Sequence, residues 1–187
     1  MAGNIMKWDE LILLRGEASR IFRRMERPGK EERDRFCDYM EFVLCLIYDY
    51  GWKDAEQIVG IVPFKDGLDD KCVNLEIADK TFRERAEEYL RNGTEEDILR
   101  LIDTEAHRDY NTGVQEAAEQ SGVPGVRKQW HTMLDGRVRD THDYLEGMKV
   151  GLADRFYTFD GDSALYPGGF SDPANNANCR CWVTLSR

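Results

Sequence analysis

The sequence predicts an α+β fold that is predominantly α-helical, with a helical N-terminal part followed by a small, loop-rich α+β C-terminal module with short strands. Two observations support this class. Up to about residue 122, apolar residues recur every three or four positions, which is the spacing of amphipathic helices. After Gly122 the chain is rich in Gly, Asp, Asn and aromatic residues and offers only short candidate strands.

The helical periodicity divides the first two-thirds of the chain into a series of predicted helices. Gly51 is expected to follow the end of the second helix, and Asn74 is expected to cap the fourth. Thr94, with Asp97 three residues later, forms a weakened capping box that opens the fifth. The predicted helices cover residues 8–27, 31–50, 53–59, 75–91 and 95–120.

The loop-rich module, residues 123–187, is predicted to hold one short helix, Asp140–Leu145, and three short strands. The change of composition after Gly122 predicts a boundary between the helical part and this module. The predicted strands are Lys128–Met133, Arg155–Phe159 and Arg180–Leu185.

Composition and charge exclude several classes of function. Hydrophobic residues make up 41% and charged residues 33% of the 187 residues, which is typical of a globular chain and not of a disordered one. The net charge of −10 disfavours DNA as a partner, because non-specific binding depends on neutralising phosphates. The apolar run Phe42–Tyr48 is far shorter than the ~20 residues of a membrane helix, so no membrane partner is expected.

The cysteines and the N-terminal segment bear on the compartment. An odd number of cysteines, five, is not typical of a secreted disulfide framework, and a reducing cytoplasm during synthesis is expected. Cys37 and Cys45 are predicted to be small core residues. The first residues contain acidic side chains and no small-residue cleavage site, so they are not expected to act as a signal peptide.

Charged residues on the fifth predicted helix form a first candidate site. Glu105, Arg108 and Asp109 are three and four positions apart, so they share one helix face. Runs of charge on a helix usually face solvent. We therefore expect these three residues to form a solvated face with ion pairs inside the helix.

Two further stretches offer residues that bind metals. Arg139 and His142 have the spacing R-x-x-H, and Cys179 and Cys181 have the spacing C-x-C near the C-terminus. His142 with the two cysteines provides three zinc ligands, with His131, Asp135 or water as a fourth. The alternative, which the small number of ligands favours, is that Cys179 and Cys181 alternate along a strand and direct Arg180 outward or into an acidic pocket.

Two other readings of these stretches are weaker. A nucleophilic cysteine would need His142 and an orienting acid such as Glu105 or Asp135, and no nucleophile motif surrounds either cysteine. The segment 160–162, Asp-Gly-Asp, resembles part of a calcium loop but lacks the further ligands, so a turn is predicted. The loop 166–183 needs an anchor, by ion pairs, aromatic packing or a metal.

The order of these residues resembles the phage Mu F-like minor head protein family, also called head morphogenesis proteins. The resemblance covers roughly residues 80–183, and its motifs are specific in combination. It implies a family domain over residues 76–187, preceded by a helical N-terminal module over residues 1–75. The residues that carry it are Thr104, Glu105, Trp130, Asp135, Arg139, His142, Gly147, Pro167, Asn178, Cys179, Arg180 and Cys181.

The resemblance implies a non-enzymatic structural component of the virion or procapsid. Such proteins act near the portal in capsid assembly and in DNA packaging or ejection. The implied partners are portal or capsid proteins, and the implied locations are the virion and, during assembly, the cytoplasm of the bacterial host. Some members are fused to toxin domains, and no such domain is recognised in this chain.

Two alternative functions stay open at this point. One is an enzyme or toxin-related domain with a polar site built from Glu105, Arg139, His142, Cys179 and Cys181. The other is a zinc-stabilised protein-interaction module. No catalytic residue is assigned, and residues 1–75 have no functional account beyond packing.

The resemblance also bears on metal binding. Some relatives have C-x-x-C in place of R-x-x-H, which would complete a four-cysteine zinc site, whereas Arg139 cannot bind zinc. The expected site is therefore metal-free, with Arg139 held by Glu105 or Asp135 in a polar network, and zinc at His142, Cys179 and Cys181 is the alternative. The predicted network comprises Glu105, Arg108, Trp130, Asp135, Arg139, His142, Asn178 and Arg180.

Overall fold

The computed structural model describes residues 8–25, 28–62 and 80–187. Long helices dominate the first part of the chain and short antiparallel strands the last part, which confirms the predominantly helical α+β class. The predicted domain boundary near residue 75 lies outside the described residues and stays a prediction. The long helices are α1 (Trp8–Arg24), α2 (Lys30–Val59), α3 (Phe82–Asn92) and α4 (Glu95–Ser121).

Helix α2 is a single helix, and the predicted break at Gly51 with a separate helix over residues 53–59 is wrong. Gly51 lies where α2 crosses α4. A Cβ atom at Gly51 would overlap the carbonyl oxygen of Tyr110, and one at Gly113 would overlap that of Tyr48. The glycine therefore allows two helix backbones to touch, and the helix ends later, at Gly60, whose φ is 89°.

Capping residues set the start of α3 and α4. The Thr81 hydroxyl accepts from the amide of Glu84 at 3.3 Å, and the Glu84 carboxylate accepts from the amide of Thr81 at 2.8 Å. The helix predicted over residues 75–91 therefore begins at Phe82, and the predicted cap Asn74 lies outside the described residues. The capping box of Thr94 and Asp97 at the start of α4 is confirmed.

The C-terminal module contains a three-stranded antiparallel sheet and a two-stranded one. Strand β1 (Arg127–His131) lies in the centre, between β2 (Lys149–Gly151) and β5 (Trp182–Ser186). Strand β3 (Phe156–Tyr157) pairs with β4 (Ser163–Ala164) across a turn at Gly161, whose φ is 93°. This confirms that residues 160–162 form a turn.

Each predicted strand overlaps an observed one, but the sequence does not predict three further elements. These are β2, β4 and the short helix α6 (Pro173–Asn176). The predicted short helix is present as α5 (Asp140–Asp143). The strand predicted over Arg180–Leu185 is observed as β5, which begins at Trp182. Cys179 and Cys181 therefore precede the strand, and the prediction that they alternate along it is wrong.

One apolar core joins the helices to the sheet. On β1 the side chains of Lys128 and Trp130 point to the buried face, because alternate residues of a strand share a face. Cys37 is buried as predicted, and Cys45 is half-buried at the edge of the core. In the described parts of the chain, no helix combines the length and apolar character of a membrane span.

Candidate functional site

The charged residues of α4 are buried, so the predicted solvated face is wrong. Glu105, Arg108 and Asp109 are exposed by 0%, 1% and 0%. Arg85 of α3 donates to the Glu105 carboxylate at 2.7 Å, and Arg108 forms a second ion pair with it. The loop at Gly168 also covers this face, since a Cβ there would lie 2.9 Å from the Cβ of Arg108.

Burial and ion pairing oppose each other in this cluster. Burial raises the pKa of Asp109 well above its usual value, and Arg108 counteracts only part of that change. Burial also disfavours the charged Arg108, but Glu105 and Asp109 outweigh it and raise the pKa of the guanidinium. The buried ion pairs fix the relative positions of α3 and α4, since removing one partner leaves an uncompensated charge.

Arg139 anchors the loop before β5, and it does not contact the acids expected from the sequence. Its guanidinium donates to the carbonyl oxygens of Ala174 and Ala177. The predicted partners are occupied elsewhere, Glu105 by Arg85 and Arg108 and Asp135 by Arg180. The expectation that Glu105 or Asp135 holds Arg139 is therefore wrong.

Arg180 could point outward or into an acidic pocket according to the sequence, and in the structure it forms an ion pair with Asp135. Its two terminal nitrogens donate to the two oxygens of Asp135 at 2.8 and 2.7 Å. This bidentate pair lowers the pKa of Asp135 below its usual range. Asn178 has a left-handed backbone, with φ of 56°, and its amide donates to the Thr104 hydroxyl at 3.2 Å.

His142, Cys179 and Cys181 are brought together in the interior. All three are buried, and their Nδ1 and Sγ atoms lie within 4.8 Å of one another. His142 Nδ1 is 3.5 Å from Cys179 Sγ and 3.6 Å from Cys181 Sγ. The imidazole stacks on Phe170 and meets the edge of Trp130, so aromatic rings fix its orientation.

The pKa values of the two thiols shift in opposite directions. The hydrogen bond from Cys181 lowers the pKa of Cys179 well below its usual value in spite of burial, and His142 acts in the same direction. The Cys179 thiolate and burial both raise the pKa of Cys181. Because interacting acids titrate as a pair, the first ionisation makes the second unfavourable.

The other predicted ligands lie elsewhere. His131 stacks on Trp182, and its Nε2 lies 2.8 Å from the Thr184 hydroxyl. Glu105 does not line the cleft beside His142, so the five residues of the predicted enzymatic site do not form one site. The residues that line this cleft are Met133, Arg137, Val138, Arg139, His142, Asn178, Cys179, Arg180 and Cys181.

Sequence reasoning missed several polar residues that join the elements. Asn111 on α4 donates to the Cys181 carbonyl at 3.2 Å and accepts from the Val183 amide at 3.0 Å, which ties α4 to the start of β5. Asn176 accepts from the Phe170 amide and donates to its carbonyl at 3.0 and 2.7 Å. The sequence offers no periodic signal for such contacts.

The buried charged residues of α4, the loop at Gly168 and most of the C-terminal sheet lie within a region that matches a known family. Residues 74–184 match the model of the family "Phage Mu protein F like protein". Because the match covers more than half of the chain, the chain belongs to this family, which confirms the resemblance drawn from the motifs.

The chain is also similar to parts of two curated proteins. The minor head protein GP7 of Bacillus phage SPP1 is 32% identical over 79 residues, which are 42% of this chain and 26% of that protein. An NAD(+)–arginine ADP-ribosyltransferase, EFV, of Enterococcus faecalis strain V583 is 34% identical over 85 residues, which are 44% of this chain and 17% of that protein. No solved structure matches the chain significantly.

Proposed function

We propose that the chain is a structural component of a phage head and acts in head morphogenesis. The observation that carries the proposal is the family match over residues 74–184, which spans α3, α4, strands β1 to β4 and the start of β5. The similarity to a phage minor head protein supports the same function. Both curated relatives are several times longer than the matched regions, so their own activities and partners do not transfer directly.

The contacts of the polar residues support a structural role. Glu105, Arg139 and Arg180 each bind groups of the same chain, namely Arg85, loop carbonyls and Asp135. These residues link α3 to α4, α5 to α6, and the segment before β5 to the loop after β1. Side chains engaged in this way position the fold, and the ADP-ribosyltransferase activity of one relative is not proposed for this chain.

Within the head, we propose the portal or the adjoining capsid shell as partner. The support is the resemblance to proteins that act near the portal, together with a net charge of −10 that disfavours DNA. The proposed locations are the virion or procapsid and, during assembly, the cytoplasm of the bacterial host.

The test is to delete the coding region from the phage that carries it and to analyse the heads by mass spectrometry and electron microscopy. We expect the chain in purified wild-type heads, with fewer DNA-filled heads and infectious particles after deletion. Cross-linking within the heads would then distinguish portal from capsid contacts. Absence of the chain from heads, with an unchanged yield after deletion, would contradict the proposal.

Complementation with two matched variants separates a structural role from catalysis. Glu105→Gln removes a buried charge from the network, so head yield should fall together with the stability of the purified chain. Glu96→Gln makes the same change on the same helix at a side chain exposed by 72%, and it should complement fully. A Glu105→Gln chain of normal stability that failed to complement would instead favour catalysis.

A further inference from the structure

The nitrogen of His142 that faces the two thiols has the position of a metal ligand. Its Nδ1 atom lies 3.5 Å from Cys179 Sγ and 3.6 Å from Cys181 Sγ. A single N–H group that is shared between two sulfurs points directly at neither, which weakens both hydrogen bonds. Nearly equal distances to two sulfurs are therefore better explained by an ion shared among the three atoms.

The distances agree with tetrahedral zinc. Zn–S bonds of about 2.3 Å and Zn–N bonds of about 2.0–2.1 Å, at a tetrahedral angle, place N and S roughly 3.6 Å apart. Both observed separations fall at this value. The donor set, two thiolates and an imidazole, is soft and selects zinc over magnesium or calcium, which prefer oxygen.

The space beside the cluster accommodates a fourth ligand of the size of water. The cleft lined by the three residues has a cavity volume of about 10 Å³, which is close to the space that one water molecule needs. Its other lining side chains include Arg137, Arg139 and Arg180, none of which binds metals, so the fourth position is open to a water molecule.

The surroundings of the imidazole are dry and aromatic. His142 is 1% exposed, and its Nε2 atom has no hydrogen-bond partner among the described residues. Stacking on Phe170, at 5.1 Å between ring centroids, holds the ring so that Nδ1 faces the sulfurs. Aromatic stacking therefore orients the imidazole, without a hydrogen bond from Nε2 to an acceptor among the described residues.

We propose that His142, Cys179 and Cys181 bind one Zn²⁺ ion, with a water molecule as the fourth ligand. The ion joins α5 to the segment before β5, which lie 37 residues apart in sequence. It closes the loop that carries α6, in addition to the contacts of Arg139. This site is independent of the head-assembly proposal, since it concerns the fold of the module.

The first experiment measures the metal content of the full chain, purified without chelators and dialysed against zinc and then metal-free buffer. Elemental analysis should find one zinc per chain. Replacing zinc by Co²⁺ should give the visible bands of tetrahedral cobalt and a thiolate charge-transfer band. A chain that retains no zinc and gives no such cobalt spectrum would overturn the proposal.

Variants then locate the ion. Cys179→Ser and Cys181→Ser should each lose most of the zinc and the charge-transfer band, whereas Cys37→Ala, a buried cysteine of α2, should keep both. His142→Cys supplies another thiolate and should retain zinc even if the serine variants fold poorly. Full zinc occupancy in the double variant Cys179→Ser, Cys181→Ser would place the ion elsewhere and overturn the assignment.

Discussion

The helical region and the C-terminal module are stabilised by different kinds of contact. Where α2 crosses α4, the backbones touch at Gly51 and Gly113, and buried apolar side chains surround the crossing. The C-terminal module contributes Trp130 and Phe156 to the same core, but its strands have only two to five residues and long loops join them. Its loops are held by side chains that bond to backbone groups, as those of Arg139 and Asn176 do.

This difference predicts different responses to substitution. A close-packed helix crossing fails when volume is added, because neither backbone can move without disturbing the other. A loop anchored by many hydrogen bonds loses only part of its stability when one bond is removed, because the remaining bonds still hold it. The two regions should therefore differ in the size and in the pH dependence of the effects.

The largest effect is expected for Gly113→Ala. The added Cβ would overlap the carbonyl oxygen of Tyr48, which belongs to the backbone of α2 and cannot rotate away. We expect a loss of about 3 kcal/mol or more in the free energy of unfolding, measured by urea denaturation, because overpacking forces backbone shifts. Failure to fold would be consistent with the same cause.

The matched control is Gly16→Ala on α1. A Cβ at Gly16 meets no atom within 4 Å, and alanine is the better helix former by roughly 1 kcal/mol. The control should therefore be neutral or slightly stabilising. Equal effects of the two alanine substitutions would show that the helix crossing is not as tightly packed as described.

Helix positions and caps could be predicted from the sequence, but the role of Gly51 could not. Apolar spacing and the Thr94–Asp97 pair are local signals, and α4 lies where they place it. A glycine after an apolar run is read as a stop, yet Gly51 allows the approach of another helix, which depends on tertiary structure. The same limit applies to Glu105 and Arg108, whose burial depends on coverage by α3 and the loop.

The sequence predicts which residues form the candidate site, but only some of the contacts between them. The residue types of R-x-x-H and C-x-C indicated that His142, Cys179 and Cys181 have compatible chemistry, and the structure brings these three together. Sequence spacing could not assign the partners of Arg139 and Arg180, because both arginines suit any acid or carbonyl group nearby. Hydrogen bonds between loop side chains and distant backbone groups leave no periodic pattern in the sequence, so they could not be predicted.

A smaller effect is expected for Asp162→Asn, at the main anchor of the loop. Its carboxylate accepts from the Ser163 amide, the Ser171 hydroxyl, the Asp172 amide and the Asn175 side chain at 2.7–3.2 Å. The amide can accept through one oxygen only, so we expect a loss of about 2 kcal/mol in the free energy of unfolding, measured by urea denaturation at pH 7.

The pH dependence distinguishes this anchor from the helix crossing. Partial burial opposes the charge of Asp162, but the hydrogen bonds outweigh it and lower its pKa to about 2. Its stabilising contribution is therefore complete above the unfolded pKa of about 3.9 and is lost as the pH falls towards 2. The difference between wild type and Asp162→Asn should shrink over that range, and the exposed Asp160→Asn should show little effect. A difference that stays constant down to pH 2 would contradict this assignment.

The smallest effect, and one of opposite sign, is expected at Lys128, where the strand β1 meets α4. This lysine is 0% exposed, and its ammonium donates to the Gln115 side chain at 3.1 Å. Burial lowers its pKa to about 8, although Glu119 and Asp154 act in the opposite direction. The buried charge therefore destabilises the folded state at pH 7.

The sign of the pH effect follows from the two pKa values. The folded chain releases the proton near pH 8, whereas the unfolded chain keeps it up to about pH 10.4, so wild-type stability should rise by about 3 kcal/mol over this interval. Lys128→Met removes the charge and keeps the length of the side chain, so it should flatten this rise and gain about 1 kcal/mol at pH 7. The exposed Lys149→Met on β2 should keep the wild-type pH profile. A Lys128→Met chain less stable than wild type at pH 7 would show that the charged ammonium stabilises this junction, and the junction would then resemble the C-terminal module more than the helix crossing.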